Sequence, residues 1–214
     1  MALTPFMIDL VNKRVVIVGG GLVAERRMRC LLESGACVTV ISPEIGEGIR
    51  ALWEEGYVNW KQRHFEADDV ADAFLIIVAT NDPATNQTVI EAAPETSLVN
   101  VAADAEQGNI QFPAHLQQGK LSISIATNGA SPMLAAKIRN RLATTYDRNY
   151  GDYVDFLYES RQLIKRSLLT KQTQTLLLRE LLDESFKNKQ KQMAIINWLE
   201  SLVKGEEHDE RLGR

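Results

Sequence analysis

Cysteine, histidine and excess positive charge are all scarce in this sequence, and each shortage removes a class of function. Only Cys30 and Cys37 occur among the 214 residues. Two thiols flanking the Ser34-Gly35 turn do not make a disulfide framework, and packing is their expected role. The three histidines, His64, His115 and His208, lie far apart without metal-ligand spacing, so no metal site is expected. A formal net charge of -4 and a pI near 5.5 leave no clustered surplus of Lys and Arg, which excludes nucleic acid as the expected partner. No apolar run approaches the ~20 residues of a membrane helix. The N-terminus also lacks a basic segment followed by an apolar core and a small-residue cleavage site, so a cytoplasmic location is expected.

The chain does have ordinary globular material, 45% hydrophobic, enough for one large domain or two small ones. Its most informative stretch is Val15-Val16-Ile17-Val18-Gly19-Gly20-Gly21-Leu22-Val23-Ala24-Glu25-Arg26, an apolar strand running through glycines into a helix. Gly19 permits the tight turn, Gly21 lets backbone approach a pyrophosphate, and Ala24 allows close helix-strand packing, which satisfies the dinucleotide pattern G-x-G-x-x-G/A. Free amides from Gly20 through Leu22 and Val23 then face the phosphates.

From Arg14 to about Val101 strands and helices alternate: strands at 14–18, 37–41, 58–61, 74–79 and 98–101, helices at 22–34, 46–55 and 83–93. Continuously apolar strands such as Val15 to Val18 and Phe74 to Ala79 indicate a parallel α/β sheet covered on both faces. Asp82-Pro83 provides an N-cap and first-turn proline. That puts Thr80, Asn81 and Asp82 at the carboxyl end of a central strand, where such sheets bind ligands. Ser42-Pro43 replaces the acidic residue that normally bonds the adenosine ribose. Ser42 can bond a 2′-hydroxyl and also tolerates a 2′-phosphate, with Arg26 or Arg27 within reach or on the solvated helix face.

A different unit begins near Gly108, with short strands expected at Asn109 to Pro113 and Lys120 to Ile125, then a helix capped by Ser131-Pro132 and running to about Tyr146. From Tyr150 the pattern is helical. Tyr153, Phe156, Leu157, Ile164 and Leu168 form one stripe, and Leu176, Leu177, Leu178, Leu181 and Leu182 a cluster. A last helix over Gln190 to Lys204 is expected to bury Ile195, Ile196, Trp198, Leu199 and Leu202. The charged tail from Gly205 to Arg214 is expected to fray.

Taken in order, GGGLVAERR, VATND, LVNVAAD and ATNGASP followed by a helix resemble the sirohaem synthase family, in particular its precorrin-2 dehydrogenase module, over roughly residues 3 to 160. The resemblance implies an N-terminal Rossmann-type parallel sheet, a small dimerisation sheet and a C-terminal helical domain, with boundaries expected at 1–113, 114–146 and 147–214. It implies NAD as cofactor, precorrin-2 as substrate, sirohydrochlorin as product, a homodimer, and a possible separate chelatase or methyltransferase as partner. The expected cofactor contacts are Gly19, Gly20, Gly21, Leu22, Val23, Ala24, Ser42, Pro43, Thr80, Asn81, Asp82 and Asn100.

Oxidising such a tetrapyrrole requires a ring hydrogen held against nicotinamide C4, a base for a released proton, and donors for many carboxylates. Asp104 is the candidate base. The family pattern places one residue between Asn-Val and Asp, whereas Asn100-Val101-Ala102-Ala103-Asp104 has one more, so strict alignment lands on Ala103. A bulge that restores Asp104, a role taken by Glu106, an absent role and a merely solvated loop aspartate all remain open. For the substrate carboxylates the candidates are Asn128, Gly129, Ser131, Lys137 and Arg141, with Arg139 a further cation; residues 137, 139 and 141 cannot all face one way on a helix, so at least one is expected on a solvated face. A bifunctional dehydrogenase and ferrochelatase is one alternative. An NAD(H)-sensing module that signals through its helices is the other.

Overall fold

The computed structural model describes residues 3–212, with side chains in the last helix described as far as Lys204. The chain divides between Phe112 and Pro113 into two compact units.

The first unit is a five-stranded parallel sheet in the order β3-β2-β1-β4-β5, made of β1 (Arg14–Val18), β2 (Cys37–Ile41), β3 (Asn59–Lys61), β4 (Leu75–Val78) and β5 (Leu98–Val101). The pleat of β1 divides its side chains between two cores. Val15 and Ile17 pack with Ala24, Met28 and Leu31 of α1 (Leu22–Glu33) and Ile49 of α2 (Glu47–Glu54). Val16 and Val18 pack with Val70 and with Val89 of α3 (Pro83–Ala92). Burial on both faces explains the unbroken apolar runs of β1 and β4. This chain crosses from β3 to β4 with one 3-10 turn, Ala67–Val70, pinned by Asp69.

The expected strand at Asn109 to Pro113 is a loop instead. Asn109 acts as a piece of strand along the edge of β5: its Oδ1 accepts from Val99 N–H at 2.7 Å, its Nδ2 donates to Ser97 O at 2.9 Å, and its N–H donates to Val99 O at 2.9 Å. One side-chain amide thereby covers an exposed sheet edge. The strand falls just beyond, after Pro113, which has no N–H to give a ladder.

The second unit opens with an antiparallel hairpin of β6 (Ala114–Gln118) and β7 (Leu121–Ile125), turned at Gly119 with φ +53°. Four helices follow: α4 (Pro132–Thr145), α5 (Arg148–Arg166), α6 (Lys171–Glu180) and α7 (Lys189–Leu212). Their core is Tyr153, Phe156, Ile164, Leu181 and Leu199, and Tyr153 O–H donates to Leu181 O at 2.8 Å. Trp198, expected to be buried, is exposed, as are Leu168 of the α5 stripe and Leu176 and Leu182 of the leucine cluster. A short helix offers one face to a core, and in α6 Leu177 and Leu178 take it. Cys30 and Cys37 are free and exposed rather than packed, because Cys30 faces away from the Ala24, Met28, Leu31 stripe and Cys37 opens β2. The charged tail, 205–214, lies outside the residues whose side chains are described, His208 included. Among the described residues no helix is long and apolar enough to cross a membrane, and no group of three His, Cys, Asp or Glu could hold a metal ion.

Candidate functional site

The glycine turn after β1 is held from three sides. Gly19 N–H donates to Ile41 O at 3.0 Å, Gly46 N–H donates to Gly20 O at 2.9 Å, and Ala79 N–H donates to Val18 O at 2.8 Å. A β-carbon on Gly19, whose φ is +121°, would overlap Ala79 O, and one on Gly20 would overlap Glu44 O. These two glycines are therefore required by the protein's own packing. Gly21 differs: a β-carbon there meets nothing within 4 Å, and its extended φ of -88° suits any residue.

Gly21 is also the N-cap of α1, with no capping side chain. Asp82, Ser131, Asp147 and Thr170 cap α3, α4, α5 and α6 with side-chain oxygens. The first turn of α1 thus presents uncapped amides beside open space, next to exposed Leu22 and Val23 and above buried Ala24. That is the cradle a pyrophosphate requires, and the residues present fit a dinucleotide.

The neighbouring strand ends line up with this turn in the sheet. Ser42, half-buried, follows β2, and its carbonyl accepts the Trp60 indole N–H at 2.9 Å, while Pro43 is exposed. After β4, Thr80 Oγ1 donates to Asn86 Oδ1 at 2.6 Å and accepts from Asp82 N–H at 3.1 Å; exposed Asn81 stands between them. The Asp82 carboxylate is spent on capping, accepting from Ala84 N–H and Thr85 N–H at 3.1 Å each and from Thr85 Oγ1 at 2.5 Å. The Thr85 hydroxyl and the two amides hold its pKa below the usual carboxylate value. Asn100 is buried, its Nδ2 donating to Ile110 O at 3.0 Å and its enclosed Oδ1 without a partner among the described residues. In this structure Asn100 fastens the loop along β5.

Asp104 is exposed beyond β5. Its Oδ1 accepts from Glu106 N–H at 3.0 Å and its Oδ2 from Gln107 Nε2 at 3.2 Å, so it caps the turn Ala105–Gln107. Ala102 N–H still donates to Val78 O at 2.9 Å, which carries the ladder one residue past β5. Ala103 and Glu106 are exposed beside it.

In the second unit, the loop before α4 is shaped by Asn128 and Gly129, both left-handed at φ +48° and +84°. Thr127 Oγ1 donates to Ser131 O at 3.0 Å, and Ser131 Oγ accepts from Leu134 N–H at 3.1 Å. Lys137 and Arg141, one turn apart, share an exposed face of α4 and have no carboxylate partner among the described residues. Arg139 turns aside and donates to Asn140 Oδ1.

Two residues of these surroundings, Asn86 and Asp69, escaped the sequence reading, and Arg27, weighed there only as a phosphate contact or a solvated side chain, is neither in this structure. Asn86, one helical turn past the Asp82 cap, is a buried partner of Thr80. Arg27 is half-buried, its guanidinium 4.5 Å from the Phe112 ring centroid and its Nε without a partner among the described residues. Burial, then the charge of Arg26, pushes its pKa down against a smaller opposing effect of Cys30. Asp69 is 2% exposed yet ion-paired with Lys61 and Arg63. No spacing in the sequence marks that cluster, since its members converge only through the β3 to β4 crossover.

Three family descriptions match consecutive stretches: "Putative NAD(P)-binding" over residues 6–114, "Sirohaem biosynthesis protein central" over 118–145, and "SirC C-terminal domain" over 150–195. The chain is 39% identical over 181 residues to a precorrin-2 dehydrogenase of Priestia megaterium, covering 85% of this chain and 90% of the relative. It is 35% identical over 158 residues to a precorrin-2 dehydrogenase of Bacillus subtilis (strain 168), covering 74% and 98%. A siroheme synthase of Actinobacillus pleuropneumoniae serotype 3 (strain JL03) matches at 35% identity, covering 75% of this chain and 33% of that longer protein. Among solved structures, "SirC, precorrin-2 dehydrogenase" superposes with a TM-score of 0.83 at 36% identity, covering 93% of this chain and all of the other.

Proposed function

The chain belongs to the precorrin-2 dehydrogenase family, and from that premise we propose how its own residues carry out the NAD-dependent oxidation of precorrin-2 to sirohydrochlorin in sirohaem synthesis. The observation that supports the reading most is the uncapped, unobstructed helix start at Gly21. There the amides of the first turn of α1 hold the pyrophosphate, with Ser42 and Pro43 beside the adenosine ribose and Thr80, Asn81 and Asp82 bordering the other half. NAD, when bound, supplies a hydride acceptor at nicotinamide C4.

Precorrin-2 loses a hydride from a ring carbon and a proton from elsewhere in the macrocycle, two hydrogens in all. Asp104 is proposed to take the proton, because its carboxylate is exposed beyond the carboxyl end of β5 and is oriented by Glu106 N–H and Gln107 Nε2. Glu106 is the other exposed carboxylate of that loop. In the second unit, Lys137 and Arg141 are proposed to pair with substrate carboxylates, and Asn128, Gly129 and Ser131 to shape the neutral part of that surface. A homodimer belongs to the same proposal, supported by exposed Met133, Leu134 and Ile138 on α4, as does a cytoplasmic location.

The proton assignment is tested by Asp104→Asn in an anaerobic assay with NAD and freshly made precorrin-2. Turnover is expected to fall by roughly 100-fold or more with NAD binding retained. Near-normal turnover in the folded variant removes Asp104 from the chemistry, and the same loss in Glu106→Gln alone moves the role to Glu106.

A further inference from the structure

The strands β1 and β4 are neighbours, yet their chains leave the sheet on opposite faces. Helix α1 packs with Val15 and Ile17 on one face, and α3 packs with Val16 and Val18 on the other. A crevice opens outside the carboxyl ends of two such strands, and dinucleotides lie in it. The glycine turn is one lip of that crevice, and the loop from Thr80 to Asp82 is the other. The lips touch, since a β-carbon on Gly19 would stand 3.1 Å from Thr80 N.

Thr80 is half-buried at this lip, and its hydroxyl is held in one orientation. Asn86, 8% exposed, bonds Thr80 twice. Its Nδ2 donates to Thr80 O at 3.3 Å. A carbonyl can only accept, so the amide stands with Oδ1 towards Thr80 Oγ1, 2.6 Å away. Oδ1 is also an acceptor only, which assigns the hydroxyl proton to that contact; the rival acceptor, Asp82 O, lies farther off at 3.1 Å. Asp82 N–H fills one lone pair of Oγ1 at 3.1 Å. One lone pair remains, so Thr80 meets a ligand as an acceptor and not as a donor.

In a dinucleotide the group that follows the pyrophosphate is the ribose of the nicotinamide half, whose hydroxyls can donate. Thr80 lies one strand, about 4.8 Å, from the glycine turn, which suits that ribose. Resting on the dinucleotide reading above, we propose that Asn86 is a positioning residue that fixes the Thr80 hydroxyl as the acceptor for a hydroxyl of the nicotinamide ribose.

The test is calorimetric titration of the full chain with NAD, with ADP-ribose, which lacks the nicotinamide, and with ADP, which lacks the second ribose as well. Thr80→Val is expected to weaken NAD and ADP-ribose by about fivefold each and to leave ADP within about twofold of wild type. Thr80→Ser, which keeps the hydroxyl, is expected to bind all three as the wild type does. Asn86→Leu is expected to reproduce the Thr80→Val pattern, and the double variant to lose no more than either single one, because both remove the same bond. Unchanged affinities in Thr80→Val overturn the proposal. So does an equal loss for ADP, which is damage to the glycine turn, and so does a loss confined to NAD, which puts the contact on the nicotinamide ring. If Asn86→Leu does not fold, Thr80→Val and Thr80→Ser still decide, because the proposal fails without a difference between them on ADP-ribose. A wild type that binds neither NAD nor ADP-ribose overturns the dinucleotide site itself, an outcome distinct from loss of the ribose contact.

Discussion

Replacing Gly21 by Ala should separate ligand binding from folding more cleanly than any other change in the glycine turn. At Gly21 an added methyl meets no protein atom within 4 Å, and the backbone at φ -88° accepts it without strain. The folding cost is that of a changed N-cap, below about 1 kcal/mol, which moves the melting midpoint of a chain this size by roughly 2–4 °C. In the proposed placement, the same methyl stands where the pyrophosphate would approach the first turn of α1. Losing one charge-assisted contact to a backbone amide costs about 1.5–3 kcal/mol, or roughly a 10- to 100-fold weaker dinucleotide affinity.

Gly19→Ala supplies the contrast. Its methyl overlaps Ala79 O at φ +121°, so strain and overpacking together cost about 3 kcal/mol, and binding falls with stability. Calorimetric melting and NADH titration of both variants check the pair. Gly21→Ala that binds NADH within about threefold of wild type would refute the placement of the phosphates at this turn.

Lys137→Ala and Arg141→Ala should each raise KM for precorrin-2 about fivefold with kcat nearly unchanged, as steady-state kinetics will show, since each removes binding shared by ground and transition states. Asn109→Ala leaves Val99 N–H and Ser97 O without their side-chain partner and should cost about 1–3 kcal/mol in urea unfolding. Burial alone would raise the Asp69 pKa, but bonds from Arg63, then Lys61 and Glu66 N–H, outweigh it and hold the carboxyl well below the usual range. A group depressed in the folded state stabilises the fold above its unfolded pKa, about 3.9, and loses that contribution as pH falls through and below it. Wild type should therefore lose stability between about pH 5 and 3 more steeply than Asp69→Asn, and parallel curves in urea melts would contradict this.

The parallel sheet and the glycine turn were legible because their determinants are local: apolar runs of strand length, glycines at fixed spacing, and Asp82-Pro83 at a helix start. The strand at 114–118 was misplaced because Asn109 pairs with β5 through a side chain, which periodicity cannot register. The exposed cysteines show the same limit, since residue type sets an average burial while the helix face of Cys30 and the strand-end position of Cys37 set the actual one. At the site, the glycine turn, Ser42 and Thr80 follow from strand order. Arg27 against Phe112 depends on long-range convergence, and Asp69 between Lys61 and Arg63 on how the chain turns after β3 at separations of eight and six residues, and neither leaves a sequence signature.

The most direct measurement is anaerobic incubation of the pure protein with freshly generated precorrin-2 and NAD, following NADH and sirohydrochlorin absorbance together. Equal, coupled growth of both signals that disappears without NAD or without protein is the predicted result. Confirmed NAD binding with no growth of either signal would contradict the dehydrogenase assignment and favour a dinucleotide-sensing role.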